Sequence, residues 1–184
     1  MLLERMMRAA RLDSNLYEEV EADLNATSQA ATVVGIVALC GGLGSGISLA
    51  MNGETGLAIV GFIAGILMAF VSWIAWSYIT YFVGTSLFKG QATPGELLRT
   101  IGFAQSPGVL NILAFIPFLG GIVGFVAGIW ALIAGVIALR HALDISTGQA
   151  IITALIGAIP MFLLNCLLAS ILLGGGMATG AFRP

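Results

Sequence analysis

The amino-acid sequence predicts an all-α, polytopic membrane protein with five transmembrane helices, and three observations lead to this fold class. First, 59% of the 184 residues are hydrophobic and only 9% are charged, whereas a soluble domain has about 25% charged residues. Second, the mean hydropathy is +1.04, and several uncharged runs reach the roughly 20 residues that a helix needs to cross a bilayer. Third, the basic residues lie between these runs, where five crossings place nearly all of them on one side.

The chain divides into an N-terminal helical segment, residues 1–28, and a transmembrane domain, residues 29–184. Residues 1–11 combine an apolar stripe with a basic one, which is typical of a helix lying flat on a membrane surface. The alternative is a short helix packed on the protein's own cytoplasmic face. Asp13 or Ser14 then begins a second, acidic helix. Nine charges in the first 25 residues argue against a secretory signal, so this segment is expected to be cytoplasmic or interfacial.

Five apolar runs supply the predicted spans. The first is dense in glycine and serine, which let helix backbones approach closely in lipid. The second lies in an uncharged run of 32 residues that would be about 48 Å long as a helix and should protrude from the hydrocarbon core. The fourth contains Gly124 and Gly128, a helix-packing signal, and the fifth is interrupted by Pro160 and Asn165. The spans cover about residues 30–51, 57–82, 101–119, 122–140 and 148–173.

The third span is predicted to be short and kinked by proline. Thr93 precedes Pro94, and Glu96 follows three residues after Thr93, so this stretch is typical of a capping box at a helix start. Pro107 is unfavourable in a helix interior, which predicts a break near Ser106. Two readings remain, a kinked span and a shallow re-entrant segment, of which the kinked span is favoured. The polar residues at the break either bind a ligand or satisfy the backbone groups that the proline frees.

The distribution of basic residues predicts the orientation. If the N-terminus is cytoplasmic and the chain crosses five times, six of the seven lysines and arginines lie inside and only Arg183 lies outside. This bias agrees with the positive-inside rule. The sequence therefore predicts a multi-pass protein of the inner (plasma) membrane, with its N-terminus in the cytoplasm and its C-terminus outside.

Polar residues gather on the predicted cytoplasmic side and form the candidate interaction site. We expect Arg99 or Arg140 to form an ion pair with a carboxylate of the acidic N-terminal helix or with Asp144. The structural alternative is that these residues only hold the inner loops together. The candidate cluster comprises Tyr17, Glu18, Glu19, Glu21, Arg99, Gln105, Pro107, Arg140, His141 and Asp144.

The sequence gives no sign of catalysis, so we expect the protein not to be an enzyme. A nucleophile needs a nearby base, but the sole histidine, His141, and Ser45 are predicted at opposite sides of the bilayer. Cys40 and Cys166 lack the spacing of a metal site, so no metal or cofactor is expected, and a net charge of −2 argues against nucleic acid.

Two function classes remain. One is a membrane scaffold, adaptor or accessory subunit; the other is a small-solute or ion transporter. The expected partners are the lipid bilayer and either further copies of the chain or a larger membrane complex.

Four stretches in this order resemble the prokaryotic members of the Yip family, the Yip-domain membrane proteins. Gly102, Phe103 and Pro107 are similar to that family's Gly-Tyr-x-x-x-Pro element, with Phe in place of Tyr. The resemblance covers nearly the whole chain after about Arg8. It implies a five-helix integral membrane protein with a cytoplasmic N-terminal segment. Eukaryotic members bind lipid-modified small GTPases in vesicle transport, a role that we do not expect here because the chain is without their long N-terminal region. The stretches are YEEVEAD (17–23), ITYFVGTSLFKG (79–90), ELLRTIGFAQSPGVL (96–110) and GIWALIAGVIALRHALDISTGQAI (128–151).

Overall fold

The computed structural model describes the backbone of residues 1–178 and the side chains of residues 1–163, and this part of the chain is helical with short connections. The predicted all-α fold is therefore confirmed. The side chains of Asn165 and Cys166, and the whole of Arg183, lie outside the described residues. The helices are α1 (Leu2–Ala10), α2 (Ser14–Ala22), α3 (Ala26–Met51), α4 (Thr55–Phe88), α5 (Pro94–Ala104), a 3₁₀ helix (Ser106–Phe115), α6 (Leu119–Ala142) and α7 (Thr147–Ala178).

Three of these helices, α3, α4 and α6, are long and apolar enough to cross a membrane. The 3₁₀ helix and the described stretch of α7, Thr147–Leu163, are shorter apolar helices. The 34 residues of α4 correspond to about 51 Å, so this helix exceeds a hydrocarbon core of about 30 Å as the sequence predicts. Large apolar side chains are exposed along it, among them Ile63 (56%) and Leu67 (63%). Lipid is the solvent that suits such a surface, and the chain has the character of a multi-pass membrane protein.

The start of α5 follows the predicted capping box. The Glu96 backbone N–H donates to Thr93 Oγ1 at 3.3 Å, and the Thr93 N–H donates to the Glu96 carboxylate at 2.7 Å. Pro94 occupies the first turn, where its missing N–H costs nothing. The helix is largely buried and includes Leu97, Ile101 and Phe103, each 0% exposed.

The predicted break near Ser106 is present, but it changes the helix type instead of kinking one continuous α-helix. After α5 ends, the backbone continues as a 3₁₀ helix in which the Gly108 N–H donates to the Gln105 carbonyl at 2.8 Å. Pro107 explains the change, because it lacks an N–H and its ring would clash with a backbone carbonyl of the preceding α-helical turn. A second expectation was wrong: α7 passes through Pro160 without an interruption.

The 3₁₀ helix runs along α3 in the same direction. Gly108 lies beside Val37 and Asn111 lies beside Gly41. A cavity at the far end is lined by Met51 of α3 and by Pro117 after the 3₁₀ helix. Ten residues of 3₁₀ helix rise about 20 Å, so this segment follows α3 from its middle to its end. α6 then returns beside it towards α2.

The closest approach between α3 and the 3₁₀ helix occurs at Gly44. A Cβ atom at this position would collide with the Asn111 carbonyl oxygen and lie 3.1 Å from the Ala114 Cβ. Hydrogen in place of a side chain is what lets the two backbones meet here, which agrees with the role expected of small residues in the first span.

The N-terminal helices belong to the same hydrophobic core as the long helices. Leu16 and Val20 of α2 are fully buried in a cluster with Ala30 of α3, Leu97 of α5 and Leu139 of α6. Residues 1–28 are therefore packed against the end of the bundle rather than forming a separate layer.

Candidate functional site

Most of the predicted polar cluster lies at one end of the bundle, which we call the charged face. It consists of α1, α2, the first two turns of α5, the end of α6 and the turn before α7. The N-cap of α2 is Asp13, whose side chain accepts from the Asn15 N–H at 3.1 Å. The apolar edge of α2, with Leu16 and Val20, faces the core at 0% exposure, so Glu18 is directed towards solvent and Glu19 towards α1.

Arg99 joins α5 to α2. Its side chain is buried, and its guanidinium Nε lies 3.0 Å from the carbonyl oxygen of Val20 and 3.2 Å from that of Glu21. A second nitrogen, Nη2, also donates to the Glu21 carbonyl. The sequence predicted an ion pair of Arg99 or Arg140 with a carboxylate of α2 or with Asp144, and neither arginine forms one among the described residues. The hydrogen-bond acceptors are instead the last carbonyls of α2, which have no partners within the helix and attract a cation.

The ion pairs of the charged face join α1 to α2. Arg5 contacts Glu19 at 2.7 Å and Asp23 at 3.0 Å, and it also donates to Gln29 at 3.1 Å. Arg8 contacts Asp13 at 2.8 Å, and Glu19 at 2.6 Å. Hydrogen bonds from Arg8 and Arg5 lower the pKa of Glu19.

Further contacts support the second alternative for α1, packing on the protein's own face. Met6 and Ala9 are buried, and the indole Nε1 of Trp130 on α6 donates to the Ala10 carbonyl at 2.8 Å. The helix is therefore packed on the protein itself, with its basic stripe turned towards α2. Sequence reasoning missed Arg5 and Arg8 as partners of the acidic helix. The available signal was the short turn after α1, which brings a basic helix and an acidic helix together.

The remaining charged candidates lie at the end of α6. His141 Nδ1 is 3.2 Å from a Glu18 carboxylate oxygen, which connects α6 to α2. Arg140 and Asp144 are exposed, and neither belongs to the ion pairs found among residues 1–163. They are the part of the charged face that is directed outward.

Two residues of the charged face are in unusual environments. The pKa of Glu21 is raised to about 7, chiefly by burial and then by repulsion from Glu96 and Asp144. Tyr17 is 0% exposed, burial raises the pKa of its phenol, and its hydroxyl has no hydrogen-bond partner within the described part of the chain. The burial of both side chains indicates that packing, as well as charge, holds the charged face together.

Gln105 and Pro107 do not belong to the charged face. Pro107 is buried in the 3₁₀ helix, and Gln105 lies at the end of α5, where it lines a cavity with Trp73 and Trp76 of α4. The structure thus divides the predicted cluster between two places. At neither place do the described residues include a group of histidine, cysteine or carboxylate side chains suited to a metal ion. The arrangement is suited to recognition by charge and shape.

A comparison with protein families matches the chain to the model described as the Yip1 domain, over residues 16–177. The chain belongs to the Yip1 family. The match begins inside α2 and ends one residue before the end of α7, so most of α2 and Arg99, which binds it, are within the Yip1 domain, whereas α1 precedes it. No curated protein and no solved structure matched the chain.

Proposed function

We propose that this Yip1-family protein is a non-enzymatic membrane scaffold, an adaptor or accessory subunit that holds partner proteins at its charged face. The observation that carries the proposal is the attachment of α2 to the bundle. Its apolar side is buried, Arg99 binds its last carbonyls, and His141 contacts Glu18. A segment fixed in this way presents a surface of constant shape, and preorganisation of this kind favours binding.

Exposed charged side chains that form no ion pair among the described residues are available to bind a partner. Arg140, Asp144 and Lys89 are exposed at the same end of the bundle, whereas Arg5 and Arg8 are neutralised by α2. Exposed charges of both signs contribute mainly to the choice of partner and to the association rate. A protein segment with complementary charges is the expected occupant, either from a second copy or from another subunit.

The proposed topology has five crossings, with the charged face in the cytoplasm of a plasma-membrane protein. Two observations support it. The 3₁₀ helix follows α3 to its far end, and the end of α6 returns to α2, where His141 meets Glu18. The bias of basic residues towards this face supports the orientation.

The scaffold proposal can be tested by site-specific photo-crosslinking in membranes. A crosslinking amino acid at Arg140 or Asp144 should give discrete protein adducts, because these side chains point outward from the charged face. The same amino acid at Leu67, 63% exposed on α4, is the control and should give lipid adducts. Lipid adducts at all three positions, together with a monomer in mild detergent, would reject the proposal.

A second candidate function is transport of a small solute or ion. Two observations favour it, the change from α to 3₁₀ helix at Gln105 and a cavity of about 380 Å³ beside that residue. Irregular helix at membrane depth commonly lines a pathway or cavity. Flux of a solute into liposomes that contain the purified protein would favour transport over the scaffold.

Glu21 gives a prediction about pH. Its pKa is about 7 in the folded protein, raised from the ordinary glutamate value of 4.5, so between these two values the folded state binds the extra proton and the unfolded state does not. The stability should therefore fall as the pH rises from about 5 to 7. The charged groups around Glu21 are Glu18, Glu96, Arg99 and Asp144. Glu21→Gln should flatten this part of a plot of melting temperature against pH, and an unchanged slope would contradict the assignment.

A further inference from the structure

The cavity beside Gln105 is an open groove between helices, and its wall includes the exposed Gly128, Leu132 and Ala158. Residues of four helices line it, and α4 and α6 each pack against both α5 and α7. Its volume is about 380 Å³, within the range of small-molecule sites, which commonly lie between the helices of bundles. Its wall on α6, Gly128 to Leu132, lies ten to fourteen residues from Ala142, the end of that helix. This is about 15–21 Å along the axis, on a helix that is long and apolar enough to cross a membrane.

The break after α5 accounts for the cavity. α5 ends at Ala104 and the chain continues in the 3₁₀ helix, which packs mainly on α3 and α6, so the ring of four helices loses one member at this depth. Small side chains, Ala69, Ala131 and Ala158, enlarge the space. A Cβ atom at Gly128 would contact nothing within 4 Å. The Gly124–Gly128 pair is therefore not the two-residue packing contact that the sequence suggested, because Gly128 belongs to this wall.

Two tryptophans form a rigid floor on the side of the charged face. The indole Nε1 of Trp73 donates to the Leu98 carbonyl of α5 at 3.0 Å. The ring of Trp76 lies between α6 and α7, because a Cβ atom at Gly135 or at Gly157 would come 3.0 Å from it. Each ring is thus held by neighbouring helices, and the shape of the cavity is fixed by the fold.

The lining determines what can bind. Apart from the tryptophans, the polar side chains are Ser72 and Gln105. A bound water needs two to four polar partners, which the rest of this surface does not offer. An occupant must therefore be mostly hydrocarbon, with one hydrogen-bonding group near Gln105. The bilayer around α4, α6 and α7 is the source of hydrocarbon in contact with the bundle.

We propose that this cavity binds one acyl chain of a bilayer phospholipid, whose ester carbonyl accepts a hydrogen bond from the Gln105 side-chain amide. The chain lies against Ala69, Ala131 and Ala158, and Trp73 and Trp76 limit its approach to the charged face. This site is independent of the proposed scaffold function, since it shares no residue with the exposed charges of the charged face.

Quenching of tryptophan fluorescence by brominated phospholipids tests the proposal. Trp130→Phe removes the tryptophan that faces α1, so that Trp73 and Trp76 report on the cavity. The vesicles contain phosphatidylcholine with increasing fractions of chain-brominated phosphatidylcholine. Quenching by lipid in the cavity should saturate at a low fraction of brominated lipid. At higher fractions, the quenching should rise only slowly, through contact with lipid of the surrounding bilayer. A quenching curve without this saturable phase would overturn the proposal.

Three variants in the Trp130→Phe background make the test specific. Ala131→Phe fills the cavity and should remove the saturable phase, whereas Ile133→Phe, at a position 45% exposed on the same helix, should keep it. Gln105→Leu retains the volume and should raise the half-saturating lipid fraction about fivefold, the effect of one lost hydrogen bond. This variant keeps the test decisive if Ala131→Phe fails to fold. Equal saturable quenching in Gln105→Leu and its parent would overturn the role of the amide, and equal quenching in folded Ala131→Phe would overturn the site.

Discussion

Gly44→Ala should lower the free energy of unfolding by about 3 kcal/mol, at the upper end of the cost of overpacking a well-packed interior. The added methyl group would meet the Asn111 carbonyl oxygen and come within 3.1 Å of the Ile112 carbonyl oxygen. These atoms belong to the backbone of the 3₁₀ helix and cannot move aside as a flexible side chain can. The whole 3₁₀ helix must shift away from α3, and the contact between them is among the most extensive in the molecule.

The matched control for this substitution is Gly46→Ala. It makes the same chemical change two residues further along the same helix, but its new methyl group would lie 4.0 Å from the nearest atom, the Ala58 carbonyl oxygen. Its effect should stay within about 0.5 kcal/mol. The melting temperatures of the two variants in detergent, measured by size-exclusion chromatography after heating, give the comparison. Equal melting temperatures would show that α3 and the 3₁₀ helix do not pack through Gly44.

The secondary structure of this protein could be predicted well where local chemistry determines it. The capping box at Thr93 needs only a hydroxyl and a glutamate at fixed spacing, Pro94 favours the same helix start, and the helix begins where these residues place it. The break near Ser106 follows from the missing N–H of Pro107 in the same way. The type of helix after the break was not predictable, since it depends on contacts with α3 and α6 that are distant in sequence.

The sequence placed most of the candidate residues at one end of the bundle, but it predicted neither their pairing nor the separate positions of Gln105 and Pro107. Counting the basic residues over five crossings placed the acidic helix and Arg99 on the same predicted side of the membrane. Which oxygen atom Arg99 reaches depends on how α2 lies across α5. The cavity had no sequence signal of its own, since alanines on four helices become a wall only when the helices surround a common space.

The second large effect is expected from Arg99→Met, which should release α2 from the bundle. Hydrogen bonds from a charged donor contribute about 1.5–3 kcal/mol, and without the guanidinium the last carbonyls of α2 lose their partner. The amide hydrogens of residues 16–22 should therefore exchange with solvent about 10 to 100 times faster. Methionine retains much of the apolar stem of arginine, so the loss reports on the hydrogen bonds more than on packing. Hydrogen–deuterium exchange measured by mass spectrometry resolves this segment.

Two further variants separate the geometry of Arg99 from its charge. Arg140→Met removes an exposed arginine from the same face and should leave exchange in α2 unchanged, because Arg140 is not among the groups that bind α2 in the described structure. Arg99→Lys keeps the charge but loses the planar group that reaches two carbonyls at once, so its exchange rate should lie between those of the parent and Arg99→Met. If Arg140→Met instead exchanged as fast as Arg99→Met, α2 would be held by the general attraction of its carboxylates to the basic residues of this face. A fixed N-terminal surface, on which the scaffold proposal depends, requires the specific bonds of Arg99.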